Sequence, residues 1–294
     1  MLSVVITAYR EAETIGRAIS AFLGQLPADA ELIVVSPDPA TTAAVDAYAA
    51  EHVRVRHVRD PQQGKPTALN IGLRAARGDI VVLSDGDVYV ADDALAPLLA
   101  PFEDPHTGAV TGRPVSTSPR NTVLGYWSHL LTDAGAHEVR LSRDKDEGFL
   151  VCSGYLYAIR RALVDDVPAG SLAEDAVVSH LIARQGHRIR YAPDARVFVK
   201  YPSTYGDWLR QRVRSAGGYA QDLVRRSPYR MRSPRLELVK GTPRALRYPR
   251  SLREFFWTLL LFAARLHLWL LVLVNVRLLR RSLPALWQRV DSTK

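Results

Sequence analysis

Two acidic residues, Asp85 and Asp87, lie one residue apart at the end of a short apolar run, in the stretch VVLSDGDVYV (81–90). Carboxylates this close repel each other, which raises the pKa of one of them unless a cation lies between them. A divalent ion such as Mg²⁺ or Mn²⁺ removes that cost, because it binds one or two carboxylates together with substrate phosphates. The spacing therefore favours a site for a metal-bound diphosphate, although many ordinary turns contain the same tripeptide.

Lys65 stands at the start of a predicted helix whose sequence is PTALNIGLRAA (66–76). A cation at a helix N-terminus is unfavourable for the helix dipole, whereas the same position suits the phosphate of a ligand. Lys65 is therefore a candidate partner of a diphosphate, with an ordinary loop lysine as the alternative.

A second pair of acidic residues, Glu174 and Asp175, occurs in SLAEDAVV (171–178). This stretch has the pattern of a helix start in which Ser171 caps the first turn and Glu174 completes a capping box. A chemical role for either carboxylate is compatible with such a helix start.

The elements that must position these residues are strands and helices in alternation. The predicted order is a strand at 3–8, a helix over 11–25, a strand at 31–36, a helix near 40–51, a strand at 53–58, a helix near 65–77 and a strand at 79–85. Such alternation predicts an α/β fold with a mostly parallel central sheet, covered by helices on both faces. Ligands of open sheets bind beyond the carboxyl ends of the strands, where Asp85 and Asp87 lie.

The alternation weakens after about residue 110. Residues 148–164 indicate a strand running into a helix, and a later helix stops at Gly186 before a further strand. The segment 226–250 is predicted to be an irregular linker, because prolines interrupt it at positions 228, 234, 243 and 249.

An apolar segment, EFFWTLLLFAARLHLWLLVLVNVRLL (254–279), follows this linker. It is long enough to cross a bilayer, but Arg265 would cost about 3 kcal/mol at the centre of the membrane. Membrane insertion is therefore the first expectation, with an interfacial or oligomerising helix and a core helix as alternatives.

The composition, with 47% apolar and 23% charged residues among 294, is that of an ordinary globular protein. The net charge is +9, and arginines are concentrated between Arg210 and Arg253. Such a stretch suits a phosphorylated ligand or an anionic membrane surface. We expect no nucleic-acid partner, because the arginines lack aromatic residues interleaved at a recognisable spacing.

Five stretches in order carry a resemblance to a known family: SVVITAYREAETI, GKPTALNIGLRAARGD, SDGD, SGYLYAIRR and AEDAVVSHLIARQG. Together they resemble the family 2 glycosyltransferases, which are inverting enzymes that use nucleotide-diphosphate sugars. The resemblance covers about residues 2–200 and implies a Rossmann-like GT-A fold, to which this chain adds a C-terminal hydrophobic helical segment.

The resemblance also implies roles for individual residues. It implies that the nucleotide sugar is bound by Thr7, Ala8, Tyr9, Glu11, Asp38, Lys65, Asp85, Gln211 and Arg214. Asp85 and Asp87 match the family's site for Mn²⁺ or Mg²⁺, with Asp87 the more direct ligand. Asp38 is the weakest match, because the family often has Asp-Asp-Gly-Ser where this chain has Ser-Pro-Asp-Pro (36–39).

Asp175 matches the family's general base, and the acceptor side is implied to include Gly154, Tyr155 and Glu174. In an inverting transfer the acceptor hydroxyl attacks the anomeric carbon opposite the departing nucleoside diphosphate, so a carboxylate must take the hydroxyl proton on that face. The metal would stabilise negative charge on the leaving group.

The stretch QRVRS (211–215) resembles the Gln-x-x-Arg-Trp motif of processive polysaccharide synthases, except that Ser215 replaces the tryptophan. This departure favours transfer of single sugars over processive chain extension.

These observations predict three regions: a catalytic domain over 1–225, a basic linker over 226–253, and a hydrophobic membrane-associated helix with a basic tail over 254–294. The leading hypothesis is a metal-dependent inverting glycosyltransferase at the cytoplasmic face of the cell membrane. It would move a sugar from a UDP or GDP type donor to a hydroxyl of a glycan or lipid-linked acceptor. The alternatives are a synthase that transfers sugar to polyprenyl phosphate and a non-catalytic nucleotide-binding membrane scaffold.

Overall fold

A single sheet of eight strands organises the fold, in the order β3-β2-β1-β4-β7-β6-β8-β5. The computed structural model describes residues 1–219, 221–230, 241–274, 290 and 292–293. The strands are β1 (Leu2–Thr7), β2 (Glu31–Ser36), β3 (Val55–Arg59), β4 (Ile80–Asp85), β5 (Tyr89–Val90), β6 (Thr107–Ser116), β7 (Leu156–Arg160) and β8 (Arg188–Val199).

The half of the sheet formed by β1 to β4 is parallel, as the alternating sequence pattern predicts. From β1 the chain runs through β2 and β3 towards one edge of the sheet, and it then returns to the other side of β1 to form β4. Where the strand order reverses in this way, a crevice forms at the carboxyl ends of the strands. Thr7 and Asp85 are paired across β1 and β4 at this end. The acidic pair therefore lies at the crevice.

The other half of the sheet is mixed, because β7 runs antiparallel to both β4 and β6. The predicted strand and helix over 148–164 are only partly present. The strand is confined to Leu156–Arg160, and a single 3₁₀ turn, Arg161–Leu163, stands in place of the helix.

Helices cover both faces of the sheet. They are α1 (Ile15–Leu23), α2 (Pro39–Glu51), α3 (Lys65–Ala75), α4 (Leu95–Leu99), α5 (Val123–Thr132), α6 (Glu138–Lys145), α7 (Glu174–Arg184), α8 (Tyr205–Gly218), α9 (Asp222–Arg225), α10 (Thr242–Arg247) and α11 (Leu252–Val272). Side chains of a strand alternate between faces, so Val4 packs in the core beneath α1, whereas Val5 packs in the core beneath α3 and α7.

The C-terminal elements pack on the α/β fold. In a third apolar cluster, Leu261 and Ala264 of α11 pack with Tyr126 and Trp127 of α5 and with Trp208 of α8. The prediction of an irregular linker is wrong for Thr242–Arg247, which is helical. Residues 231–240 of the linker and 275–279 of the apolar segment lie outside the described residues, and the division into three regions stays a prediction.

A buried hydroxyl pair joins α5 to α11. Thr258 Oγ1 donates to the carbonyl of Glu254 at 3.0 Å, so its single proton is used there. The Tyr126 hydroxyl, 2.6 Å from Thr258 Oγ1, is therefore the donor of the second bond, and both residues are fully buried.

Thr258→Val should lower the free energy of unfolding by about 1–3 kcal/mol, because it leaves the buried Tyr126 hydroxyl without an acceptor. Denaturant unfolding of the wild type and the variant measures this change. In a Tyr126→Phe background the same substitution should cost much less. An equal cost in both backgrounds would show that the pair adds no stability.

Candidate active site

The acidic residues at the end of β4 line a large cavity between the sheet and the C-terminal helices. Its volume is about 2080 Å³. Every site residue that the sequence predicts lines it, except Asp38: Thr7, Ala8, Tyr9, Glu11, Lys65, Asp85, Asp87, Gly154, Tyr155, Glu174, Asp175, Gln211 and Arg214. The fold thus brings residues that are far apart in the sequence, from Thr7 to Arg214, to the same cavity.

Lys65, the first residue of α3, bridges two carboxylates from different elements. Its Nζ lies 2.7 Å from Asp85 Oδ1 at the end of β4 and 2.7 Å from Glu174 Oε1 at the start of α7. Burial opposes the charged ammonium, but the two carboxylates outweigh it and hold the pKa of Lys65 well above its usual range. A protein cation therefore offsets part of the negative charge that the sequence places at this site.

The capping interpretation of SLAEDAVV is wrong in detail. Helix α7 begins at Glu174, and the preceding residue, Ala173, offers no side-chain cap. Ser171 donates instead to the carbonyl of Pro168 at 2.7 Å. Burial disfavours the ionised form of Glu174, but its ion pair with Lys65 prevails and lowers the pKa of this carboxyl.

Asp175 is held differently from its neighbour. The Gly154 N–H donates to Oδ2 at 3.0 Å, and the N–H of Ala176 donates to Oδ1 at 2.8 Å. Burial and the adjacent Glu174 charge outweigh these bonds and raise the pKa of Asp175 to about 6. The carboxylate is thus fixed in orientation by backbone groups and has the pKa of a base that works near neutral pH.

The loop after β1 forms another wall of the cavity. Arg10 adopts a left-handed conformation with φ 54°, which is unusual for a residue other than glycine. Its N–H donates to Asp38 Oδ2 at 2.7 Å, while the N–H of Thr41 donates to Asp38 Oδ1 at 3.0 Å. Asp38 therefore caps α2 and holds the loop that carries Tyr9 and Glu11. Its predicted contact with the donor remains a prediction.

Asp60 is a cavity residue that the sequence analysis missed. It follows β3, is 6% exposed and has its pKa raised by burial. The Gln62 N–H donates to its Oδ1 at 3.0 Å. The signal in the sequence was the same as for Asp85, a carboxylate at the end of a strand in the parallel half of the sheet.

The opposite wall is formed by the predicted acceptor-side residues and by α8. Gln211 Nε2 donates to the Tyr155 hydroxyl at 3.4 Å, and the Tyr155 ring meets Tyr201 edge to face at 6.0 Å between centroids. Gln211 and Arg214 are three residues apart on α8, so they share a face of that helix.

The carboxylates at the end of β4 are suitable ligands for a divalent ion whose remaining ligands are oxygens of a bound substrate. Among the described residues, no group of three or more His, Cys, Asp and Glu side chains could hold a metal by itself. Asp85 and Asp87 are the candidate protein ligands, and one oxygen of Asp85 is also bonded to Lys65. Ions of the Mg²⁺ type accept such sparse protein ligation when phosphates complete the shell.

Comparisons with known proteins agree on the family and the fold. The model of "Glycosyltransferase like family 2" matches residues 1–218. The poly-beta-1,6-N-acetyl-D-glucosamine synthase of Staphylococcus aureus is 28% identical over 230 residues, which are 76% of this chain and 56% of the synthase. The chain thus spans little more than half the length of this relative.

Two solved glycosyltransferases share the architecture. The mannosyltransferase PcManGT from Pyrobaculum calidifontis, solved with GDP-Man and Mn²⁺, has a TM-score of 0.63 and 24% identity, over 97% of this chain and 82% of its own. GalNAc-T7, solved with UDP, GalNAc and Mn²⁺, has a TM-score of 0.54 and 20% identity, over 75% of this chain and 50% of its own. At these identities the similarity establishes the GT-A fold.

Gly86, between the two aspartates, is required by a close approach of the β1 loop. A methyl group added there would lie 2.4 Å from Glu11 Oε2 and 2.8 Å from Ala8 Cβ. Gly86→Ala should therefore destabilise the protein by about 1–3 kcal/mol, as overpacking does, and displace the loop from the cavity. Thermal unfolding measures the loss.

Gly24→Ala provides the matched control. Gly24 has an ordinary φ of −64°, and an added methyl group would be 3.8 Å from its nearest neighbour. This variant should be as stable as the wild type or slightly more stable, because alanine adopts this helical conformation without strain. Equal stability of the two variants would contradict the close-approach explanation.

Proposed function

Because the chain belongs to glycosyltransferase family 2, we propose that it is a metal-dependent inverting enzyme that transfers a sugar from a nucleotide-diphosphate donor to an acceptor hydroxyl. The observation that supports this most is that three carboxylates line one cavity in different surroundings. Asp85 and Asp87 lie at the end of β4, whereas Asp175, with a raised pKa, lies at the start of α7.

Asp175 would take the proton of the acceptor hydroxyl as its oxygen attacks the anomeric carbon. The C–O bond to the donor's diphosphate breaks with inversion, and the electron pair leaves with the nucleoside diphosphate. The N–H groups of Gly154 and Ala176 keep the carboxylate oriented during this step. A general base placed in this way typically contributes about 10²–10⁴-fold to the rate.

The donor would lie between the β1 loop and α3. Thr7, Tyr9, Glu11 and Asp60 would contact the nucleoside, and Lys65 would be within reach of the diphosphate. A divalent ion, Mn²⁺ or Mg²⁺, held by Asp87 with Asp85, would neutralise charge that develops on the leaving diphosphate. UDP and GDP sugars are the donor classes we propose, since the two solved neighbours contain UDP and GDP-Man.

We propose a glycan or a lipid-linked saccharide as the acceptor, at the cytoplasmic face of the membrane. The staphylococcal relative is named as a polysaccharide synthase, and the C-terminal apolar helix would bring the active site to a membrane. Ser215 in place of the aromatic residue of processive synthases supports single-sugar transfer. A polyprenyl phosphate is the second candidate acceptor, because Arg140, Arg212 and Arg265 line the same cavity.

Asp87→Ala and Asp175→Asn should both strongly reduce transfer, but for different reasons. Asp87→Ala removes the proposed metal ligand and should weaken metal-dependent donor binding as well as turnover. Asp175→Asn should reduce kcat by about 10²–10⁴-fold and leave donor binding near normal. Calorimetry with UDP or GDP sugars and Mn²⁺, together with assays of released nucleoside diphosphate, separates the two effects.

Asparagine has one acceptor oxygen for the two N–H groups that bond to Asp175, so Asp175→Asn could also disturb folding. Normal donor binding by this variant shows that it is folded. Near-normal turnover of this variant would contradict the base assignment. A wild-type chain that binds neither UDP, GDP nor Mn²⁺ would instead support the non-catalytic scaffold.

The pH profile tests the electrostatics of the base. Asp175 must be ionised to accept a proton, so kcat/KM should fall as the pH decreases through about 6. Glu174→Gln removes a charge that raises the pKa of Asp175, and the acid limb of the profile should move to lower pH. Steady-state assays across this pH range measure the acid limb of the wild type and that of the variant.

The same profile distinguishes the two acceptors. A polyprenyl phosphate is already an anion and does not need a base, so transfer to it should lack a limb that depends on Glu174. Radiolabelled donor offered separately with polyprenyl phosphate and with saccharides identifies which acceptor is used. A Glu174→Gln variant with an unshifted limb on saccharides would contradict the assignment of that limb to Asp175.

A further inference from the structure

The outward side of α11 is an exposed apolar surface that runs the length of the helix. Most of the large exposed apolar side chains among the described residues lie on it: Leu252, Phe255, Phe256, Leu259, Leu260, Leu266, Trp269, Leu270 and, just beyond, Leu273. Leu252 is 79% exposed and Leu266 is 73% exposed. An apolar surface this continuous on a folded domain marks an interaction site.

The inward side of α11 is bonded to the catalytic fold along its length. In the first turn Glu254 pairs with Arg120 at 2.9 Å, and in the next the carbonyl of Trp257 accepts from Trp127 Nε1 at 2.7 Å. Further along, Leu261 and Ala264 pack in the apolar cluster with Tyr126 and Trp208, and Leu268 is buried as well. The helix is therefore held parallel to the domain surface.

This attachment decides between the orientations that the sequence left open. Among the described residues, α11 is the one helix long and apolar enough to cross a membrane. If it did so in this arrangement, it would carry α8, with Arg210, Asp207 and Arg214, into the hydrocarbon. Charged residues in that position are strongly disfavoured. An orientation along the membrane surface exposes the outward side of α11 to lipid and leaves α8 in water.

The charges beside the apolar surface indicate which partner covers it. Arg247 at the end of α10, Arg250 in the connecting segment and Arg253 in the first turn of α11 are exposed. Glu254 is the only acidic residue in 241–274, and it is bonded to Arg120. A second copy of the chain would meet no acidic side chain on the described part of this surface. Anionic lipid headgroups supply the missing negative charge, as they do for other interfacial helices.

We propose that α11 lies flat in the interface of an anionic bilayer, with its outward side in the acyl region and these three arginines among the headgroups. Leu266 and Trp269 also line the cavity that contains Asp175, so the active site opens at the membrane surface. This placement deepens the proposed function. Only the identity of the acceptor rests on that function, because α11 can bind a bilayer without any substrate.

Spin labels measure the orientation directly. In a Cys152→Ala background, which removes the single cysteine, cysteines placed one at a time at Phe256, Leu259, Leu266 and Leu270 carry a nitroxide. With the full chain on phosphatidylglycerol-containing vesicles, accessibility to oxygen and to a polar nickel reagent reports depth. A flat helix gives the same shallow depth at all four positions. A depth that is greatest mid-helix and smaller at both ends, or labels that stay in water, would overturn the proposal.

Vesicle flotation tests the contacts. Leu266→Glu should reduce partitioning by about tenfold or more, because it places a charge in the acyl region. The triple variant Arg247→Gln, Arg250→Gln, Arg253→Gln should weaken binding to phosphatidylglycerol vesicles by about fivefold for each arginine, with little effect on phosphatidylcholine vesicles. Val53→Glu, at a position 99% exposed in the loop before β3, is the matched control and should float like the wild type.

Unchanged flotation of Leu266→Glu would contradict the proposal. The flotation arm contains no sugar donor, so its outcome is independent of transfer activity. A chain that binds vesicles but transfers nothing would refute the proposed function alone, and an active chain whose labels stay in water would refute the flat placement alone.

Discussion

The ion bridge from Lys65 to Asp85 and Glu174 is the interaction on which the active site depends. It ties the end of β4, the start of α3 and the start of α7 to one ammonium group, at 2.7 Å from each carboxylate. Three elements from distant parts of the sequence are thereby fixed around the crevice of the sheet. Without this cation, the carboxylates would repel one another in a partly buried cavity and would favour separation of these elements.

The same bridge gives two adjacent carboxyl groups opposite properties. Glu174 is paired with Lys65 and has a lowered pKa, whereas Asp175 is bonded by backbone N–H groups and has a pKa raised to about 6 by burial and by the charge of Glu174. Such divergence between neighbouring acids is the usual way in which a protein separates a structural or binding role from proton transfer. It is the physical basis for proposing Asp175 as the base.

The C-terminal helices complete the cavity. Residues of α8 and α11 form one side of it, so the active site, the arginines around it and the outward apolar surface of α11 belong to one continuous structure. The cavity thus joins charged residues at the sheet to apolar residues at a surface helix, which is the basis for proposing a lipid-linked acceptor.

The local pattern of the sequence determined the strands and helices of the first half, the strand end that presents Asp85 and Asp87, and the family. The strands could be predicted because burial on both faces of a parallel sheet gives short apolar runs. The family could be predicted because each of its motifs lies within one short stretch of sequence. Only the tertiary structure decided that Glu174 pairs with Lys65 instead of completing a capping box, and that Asp38 holds the β1 loop. It also decided that Asp60 lines the cavity and that α11 lies along the domain. These are pairings between residues distant in sequence, and they depend on how the elements pack, which periodicity along the chain does not encode.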